Sequence, residues 1–275
     1  GDTDSQDIAV TVTDVNDAPI IISNGGGATA AINAAENQTA VTTVTWTDQD
    51  LPADSITYAL SGDDAALFSI DAFGVLTFIA PPDFETPTDF DADGVYDVTV
   101  TVDDNAGDTD SQDIAVTVTD VNDAPIIISN GGGATAAINA AENQTAVTTV
   151  TWTDQDLPAD SITYALSGDD AALFSVDAFG VLTFIAAPDF ETPTDFDADG
   201  VYDVTVTVDD NAGDTDSQDI SVTVTDVNDA PIIISNGGGA TAAINAAENQ
   251  TAVTTVTWTD ADLPANSITY ALSGD

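Results

Sequence analysis

The sequence predicts an all-β protein: tandem seven-stranded Greek-key β-sandwiches, of immunoglobulin-like architecture, joined end to end. Three observations lead there. Apolar and polar residues alternate in short runs, the runs are rich in Val, Ile and Thr, and Gly/Asp/Asn clusters interrupt them with no helical pattern between.

The elements follow in order. Residues 5–13 place Ile8, Val10 and Val12 on one face, and 41–47 place Val44 and Trp46 on one face. Residues 55–60 align Ile56, Tyr58 and Leu60; Leu76 and Phe78 share a face; Tyr96, Val98, Val100 and Val102 form the longest alternation. Each is a half-buried strand. The shorter apolar runs 19–23 and 67–70 complete the set. Between them stand the turns Ser61-Gly62-Asp63-Asp64, Phe73-Gly74, Asp91-Ala92-Asp93-Gly94 and Asn105-Ala106-Gly107.

The unit repeats. GDTDSQDI begins at Gly1, Gly107 and Gly213, a period of 106 residues, too long for a solenoid rung and right for a domain. The two full copies differ only at Ile70/Val176 and Pro81/Ala187. The third differs from the second at Ala115/Ser221, Gln155/Ala261 and Asp160/Asn266. Asp14-Val15-Asn16-Asp17-Ala18-Pro19 follows a strand and ends in a proline that cannot continue a central ladder. Domains are therefore expected at 18–123 and 124–229, with 1–17 the last strand of a preceding repeat and 230–275 the first strands of a third. The chain reads as a slice of a longer array.

Composition removes most chemistry. There are 49 acidic residues, no Lys, Arg, His, Cys or Met, and a formal charge of −49. That excludes Ser–His triads, thiol nucleophiles, Schiff bases, P-loop lysines, His-ligated metals and Lys–Asn cross-links. Paired carboxylates without an aromatic-lined cleft signal do not support a glycosidase either, so the chain is read as a non-enzyme. A polyanion without a basic patch has no direct contact with nucleic acid or an anionic membrane surface. No run of 18 apolar residues offers a membrane span. What remains is hard-cation chemistry, in which Ca²⁺ takes six to eight oxygens from carboxylates and carbonyls.

At the linkers the residues resemble cadherin repeats, specifically the bacterial cadherin-like repeats of giant secreted adhesins and surface proteins. Asp120-Val121-Asn122-Asp123-Ala124-Pro125 is similar to the family's DxNDN-x-P linker, Asp154-Gln155-Asp156 to its DxD, Glu36 to its first-strand glutamate, Asp83-Phe84-Glu85 to its DxE, and Asp210 to its late aspartate. The resemblance implies several Ca²⁺ ions per repeat junction. Glu36, Asp83 and Glu85 would come from before the linker, Asp154, Asp156 and Asp210 from after it. Asp120 and Asp123 would lie between, with backbone oxygens of Asn122 and Ala124. It implies the same at 14–19 from Asp14, Asp17, Asp48, Asp50 and Asp104, and at the third junction from Glu142, Asp189, Glu191, Asp226, Asp229, Asp260 and Asp262. Of the three, only the 120–125 set is expected to be complete within the sequence. Two like charges 4 Å apart cost roughly 4 kcal/mol at an effective dielectric near 20, so such crowding calls for cations.

The sequence departs from that pattern in places. Ala124 replaces the linker's final Asn, Phe84 replaces a usual Arg, and Trp46, assigned to the core, stands where a small residue is usual. A glycine-bearing insertion over 20–31 has no functional reading. A second insertion, Asp89, Asp91, Asp93, Gly94 and then Asp97, matches the D-x-D-x-D-G opening of calcium loops and recurs at Asp195, Asp197, Asp199, Gly200 and Asp203. Asp2, Asp4, Asp7, Asp54, Asp63, Asp64 and Asp71 read as surface charge, and Asn37-Gln38-Thr39 is a glycosylation sequon recurring at Asn143 and Asn249.

The expected function is a calcium-rigidified repeat of a long extracellular adhesin stalk or surface filament, whose partners are neighbouring repeats of the same chain. The alternative is a laterally associating or homophilic filament module whose partner is another copy. Carbohydrate binding through Trp46 is a third class.

Overall fold

The computed structural model describes residues 1–50, 56–156, 162–262 and 268–273. It divides into two compact units, residues 1–121 and 122–275, each carrying one complete two-sheet sandwich.

In the first unit the strands are β1 (Ile20–Ile21), β2 (Thr29–Ala35), β3 (Ala40–Thr43), β4 (Trp46–Thr47), β5 (Thr57–Ser61), β6 (Phe68–Ile70), β7 (Val75–Phe78), β8 (Val95–Asp103) and β9 (Thr109–Thr119). One sheet has the order β2-β9-β8-β5, the other β3-β7-β6, and β1 pairs with β4. Nine strands stand where seven were expected, because the run 41–47 divides into β3 and β4 and because β2 is a strand the sequence reading did not place. β2 lies parallel to β9, whereas β8 and β9 form an antiparallel hairpin. In the second unit the same order recurs as Ile126–Ile127, Thr135–Ala141, Ala146–Thr149, Trp152–Thr153, Thr163–Ser167, Phe174–Val176, Val181–Phe184, Val201–Asp209 and Thr215–Thr225.

Parity places the core. Tyr96, Val98, Val100 and Val102 of β8 are buried against Ile114, Val116 and Val118 of β9 and Leu76 and Phe78 of β7. Phe68 stacks on Phe78 at 4.6 Å between centroids, and Tyr96 meets Phe78 edge-on at 5.2 Å. Trp46 is half-buried, packs on this core and donates its indole N–H to Tyr58 Oη at 3.1 Å.

Three sequence expectations change. Residues 5–13 form no strand, and Ile8, Val10 and Val12 are 76–90% exposed. Their copies Ile114, Val116 and Val118 are buried because β8 and β2 flank them; among the described residues no strand pairs with 1–17. Among the described residues of 230–275 the strands are Ile232–Ile233 and Trp258–Thr259, paired with each other. Asp64 is not surface charge: it is buried, and accepts N–H bonds from Phe90 (2.7 Å) and Asp97 (2.8 Å). The reading of Asp54 lies outside the described residues.

The insertion over 20–31 carries the chain from the β1–β4 pair to the β2–β9 pair. Asn24 anchors it, with its carboxamide oxygen accepting from Thr42 Oγ1 (2.8 Å) and its NH₂ donating to Gln112 Oε1 (3.1 Å). Gln112 is fully buried and donates on to the Gly27 carbonyl at 3.0 Å. A buried amide with every bond satisfied fixes the crossover.

Candidate metal centre

The first-strand glutamate ends β2 and acts as a clasp. Glu36 is buried, and its two carboxylate oxygens accept from the backbone N–H of Phe84 and of Val121, each at 2.8 Å. The same strand end in the second unit gives Glu142 the N–H groups of Phe190 and Val227, again at 2.8 Å. The clasp brings the DxE loop to the strand exit. As a result Glu36, Asp83 and Glu85 each offer an oxygen within 4.8 Å of the others, as do Glu142, Glu191 and Asp226.

The linker is fixed by the DxD motif. Asp17 N–H donates to Asp50 Oδ2 at 2.7 Å, Asp123 N–H to Asp156 Oδ2 at 2.8 Å, and Asp229 N–H to Asp262 Oδ2 at 2.9 Å. Within each motif the second aspartate's N–H turns back onto the first, as from Asp50 to Asp48 (2.9 Å) and from Asp156 to Asp154 (3.1 Å). This turn leaves the outer oxygens of Asp48 and Asp154 buried with no hydrogen-bond partner in the protein, as is Oε2 of Glu191.

The electrostatics are strained in the same places. Burial, and then the charges of Asp156 and Asp210, hold the Asp154 carboxyl above the usual range despite the Asp156 N–H. Burial with Glu142, Asp226 and Asp189 nearby raises Glu191, although a backbone N–H opposes the shift. At Asp50 the N–H of Asp17 pulls downward, but burial and the charges of Asp14, Asp48 and Asp17 win. The late aspartates behave oppositely. The side-chain amide of Asn16, aided by a run of backbone N–H groups, lowers Asp104 to about 2, and Asn122 does the same for Asp210. Asp108 and Asp214, absent from the sequence candidates, share those amides at 2.7 and 2.8 Å. Only the fold shows that they lie beside the linker asparagine, 92 residues away.

Other candidates are placed more loosely. Asp83 Oδ1 and Asp189 Oδ1 cap their own loops through Thr86 and Thr192. Asp189 stands outside the Glu142–Glu191–Asp226 cluster, and Ala124 is exposed. Asp260 receives the Asp262 N–H at 3.3 Å. In the acidic loops Asp89, Asp91 and Asp93 converge within 4.8 Å, as do Asp195, Asp197 and Asp199. Asp97 and Asp203 fall outside those clusters; Asp203 Oδ1 accepts from Ser221 Oγ at 2.6 Å.

The donor set is entirely oxygen, and buried carboxylate oxygens without donors are what a hard cation satisfies. The residues present therefore fit a divalent cation of the Ca²⁺ type.

Fold and site together define a class: tandem β-sandwiches with acidic clusters at the strand exits beside their linkers. No family model matches the chain. Over 235 residues it is 29% identical to the Protocadherin-like wing polarity protein stan of Drosophila melanogaster, covering 82% of this chain and 6% of the relative's length. Among solved structures it is similar to mouse cadherin-23 EC22-24 (21% identity, TM-score 0.49, covering 90% of this chain and 78% of that one). It is also similar to human protocadherin-24 EC1-2 (20% identity, TM-score 0.49, covering 77% of this chain and all of the other). Among the described residues no helix is long and apolar enough to cross a membrane.

Proposed function

We propose that the chain is a calcium-rigidified structural repeat of a long extracellular adhesin stalk or surface filament. The observation that carries this is Glu191 Oε2, a buried carboxylate oxygen that meets no donor, clustered with Glu142 and Asp226 at the strand exit. Ca²⁺ bound there would be held by Glu142, Glu191 and Asp226, with Asp229, Asp260 and Asp262 from the linker and its DxD turn. By drawing ligands from a linker, the ion converts mutual repulsion into a clamp on the chain between repeats. The same role is proposed for the linkers at 14–19 and 120–125, with repeats spanning 18–123 and 124–229. The Asp89–Asp91–Asp93 loop and its copy are proposed as additional cation sites. The concentration of free Ca²⁺ such sites need is found outside cells, where these repeats would work.

A lateral reading, in which copies of the chain pack side by side, is favoured by one feature. Phe73 and Phe179 are 82% and 83% exposed at the same turn of each repeat.

Calorimetric Ca²⁺ titration of the wild type and Glu191→Gln, with X-ray scattering in Ca²⁺ and in chelator, tests the proposal. Saturable binding that weakens about tenfold or more in the variant is expected, since one unit charge leaves the cluster, along with a longer particle in Ca²⁺. No binding, or identical profiles, would overturn it. Mass per particle by sedimentation separates the single rod from the bundle.

A further inference from the structure

We propose that Asn24-Gly25 and Asn130-Gly131 are latent deamidation sites that the folded repeat holds shut. In an Asn-Gly pair the glycine carries no side chain to shield its backbone nitrogen. That nitrogen, on losing its proton, can attack the asparagine Cγ. The new C–N bond closes a succinimide as the Cγ–Nδ2 bond breaks and ammonia leaves. Water then opens the ring at either carbonyl to give aspartate or isoaspartate, so the balance is asparagine plus water to acid plus ammonia, with no other reactant.

Attack requires the carboxamide to swing over the following nitrogen, and both of its ends are tied. Asn24 Oδ1 accepts from Thr42 at 2.8 Å and its Nδ2 donates to Gln112 Oε1 at 3.1 Å; Asn130 has Thr148 at 2.8 Å and Gln218 at 3.0 Å. Cyclisation must break both bonds. The product cannot re-form them, because the carboxylate left in place of the Asn24 amide offers no N–H to Gln112 Oε1. Turning the Gln112 amide around would strand the Gly27 carbonyl that its NH₂ now serves at 3.0 Å. Each repeat therefore carries an irreversible chemical record of having opened, seated at the crossover between its sheets.

Peptide mapping by mass spectrometry of the full chain, aged in mildly alkaline buffer with and without urea, reads the rates. Asn24 and Asn130 should react about tenfold or more slowly in the folded chain, the effect of two modest hydrogen bonds. Gln112→Ala should accelerate Asn24 and leave Asn130 in the same molecule unchanged. Thr42→Val is the second variant, and circular dichroism confirms folding. Equal rates at Asn24 with and without urea, or no acceleration in either variant, overturns the proposal. Acceleration of Asn130 together with Asn24 would assign the protection to global folding and overturn it as well.

Discussion

The side-chain amide of Asn122 donates to Asp210 Oδ2 across 2.8 Å and 88 residues of sequence. That contact is the first cause of the low pKa of Asp210, about 2 against an ordinary 3.8. A folded-state pKa below the unfolded one contributes stability that is present above pH 3.8 and lost as pH falls towards 2. Asn122→Ala should therefore raise the Asp210 pKa, read by carbon-detected NMR titration, and flatten acid unfolding in that window. An unchanged Asp210 titration would show that the backbone N–H groups alone hold it.

Asp154 and Glu191 shift the other way, and so does the prediction. Their folded-state pKa values lie above the ordinary 3.8 and 4.5. The stability linked to them is complete below those values and disappears as pH rises through the raised ones. In chelator the protein should thus melt at higher temperature in mild acid than at neutral pH. Saturating Ca²⁺ should reverse the slope, because the ion replaces the proton. Melting curves across pH, with and without Ca²⁺, check this; a chelated protein that only loses stability on acidification would refute it.

How far the sequence announced this structure depends on how local each cause is. Tyr96, Val98, Val100 and Val102 were legible because parity on one strand decides their burial. The Glu36 cluster was legible through its motif, since Glu36, Asp83 and Glu85 do come together. β2 was not: Thr29-Ala30-Ala31-Ile32-Asn33-Ala34-Ala35 has little strand propensity, and β9, some eighty residues on, makes it a strand by pairing in parallel. Asp64 looked like an ordinary turn aspartate, because the N–H groups it serves lie 26 and 33 residues away.

Gly74 sits at φ +78°, and a Cβ there would lie 2.3 Å from the Val44 carbonyl oxygen and 2.8 Å from Tyr58 Oη. The backbone cannot yield cheaply, since Val44 N–H is itself bonded to the Gly74 carbonyl at 2.7 Å, and the half-buried Tyr58 hydroxyl is held by the Trp46 indole N–H at 3.1 Å. Gly74→Ala combines left-handed strain with overpacking and should destabilise the first repeat by about 2–4 kcal/mol. The urea midpoint would report it, and Gly94→Ala, where the added carbon meets nothing within 4 Å, isolates the backbone share.

The buried carboxylate of Asp64 ties the acidic loop to the sheet through two N–H groups, Phe90 ahead of the loop's turn and Asp97 after it. Asp64→Ala leaves both donors without their acceptor and should cost about 1–3 kcal/mol. The loss should be local. Amide exchange should quicken at Phe90 and Asp97, and also at Asp93 and Gly94, whose N–H groups Asp89 holds at 2.9 and 3.3 Å inside the same loop. Their copies Phe196 and Asp203, held by Asp170 in the second unit, should keep wild-type protection and serve as the internal reference. Should Asp93 and Gly94 stay protected while Phe90 and Asp97 open, the loop would be held by Asp89 alone, and the anchoring role of Asp64 would be confined to the strand it touches.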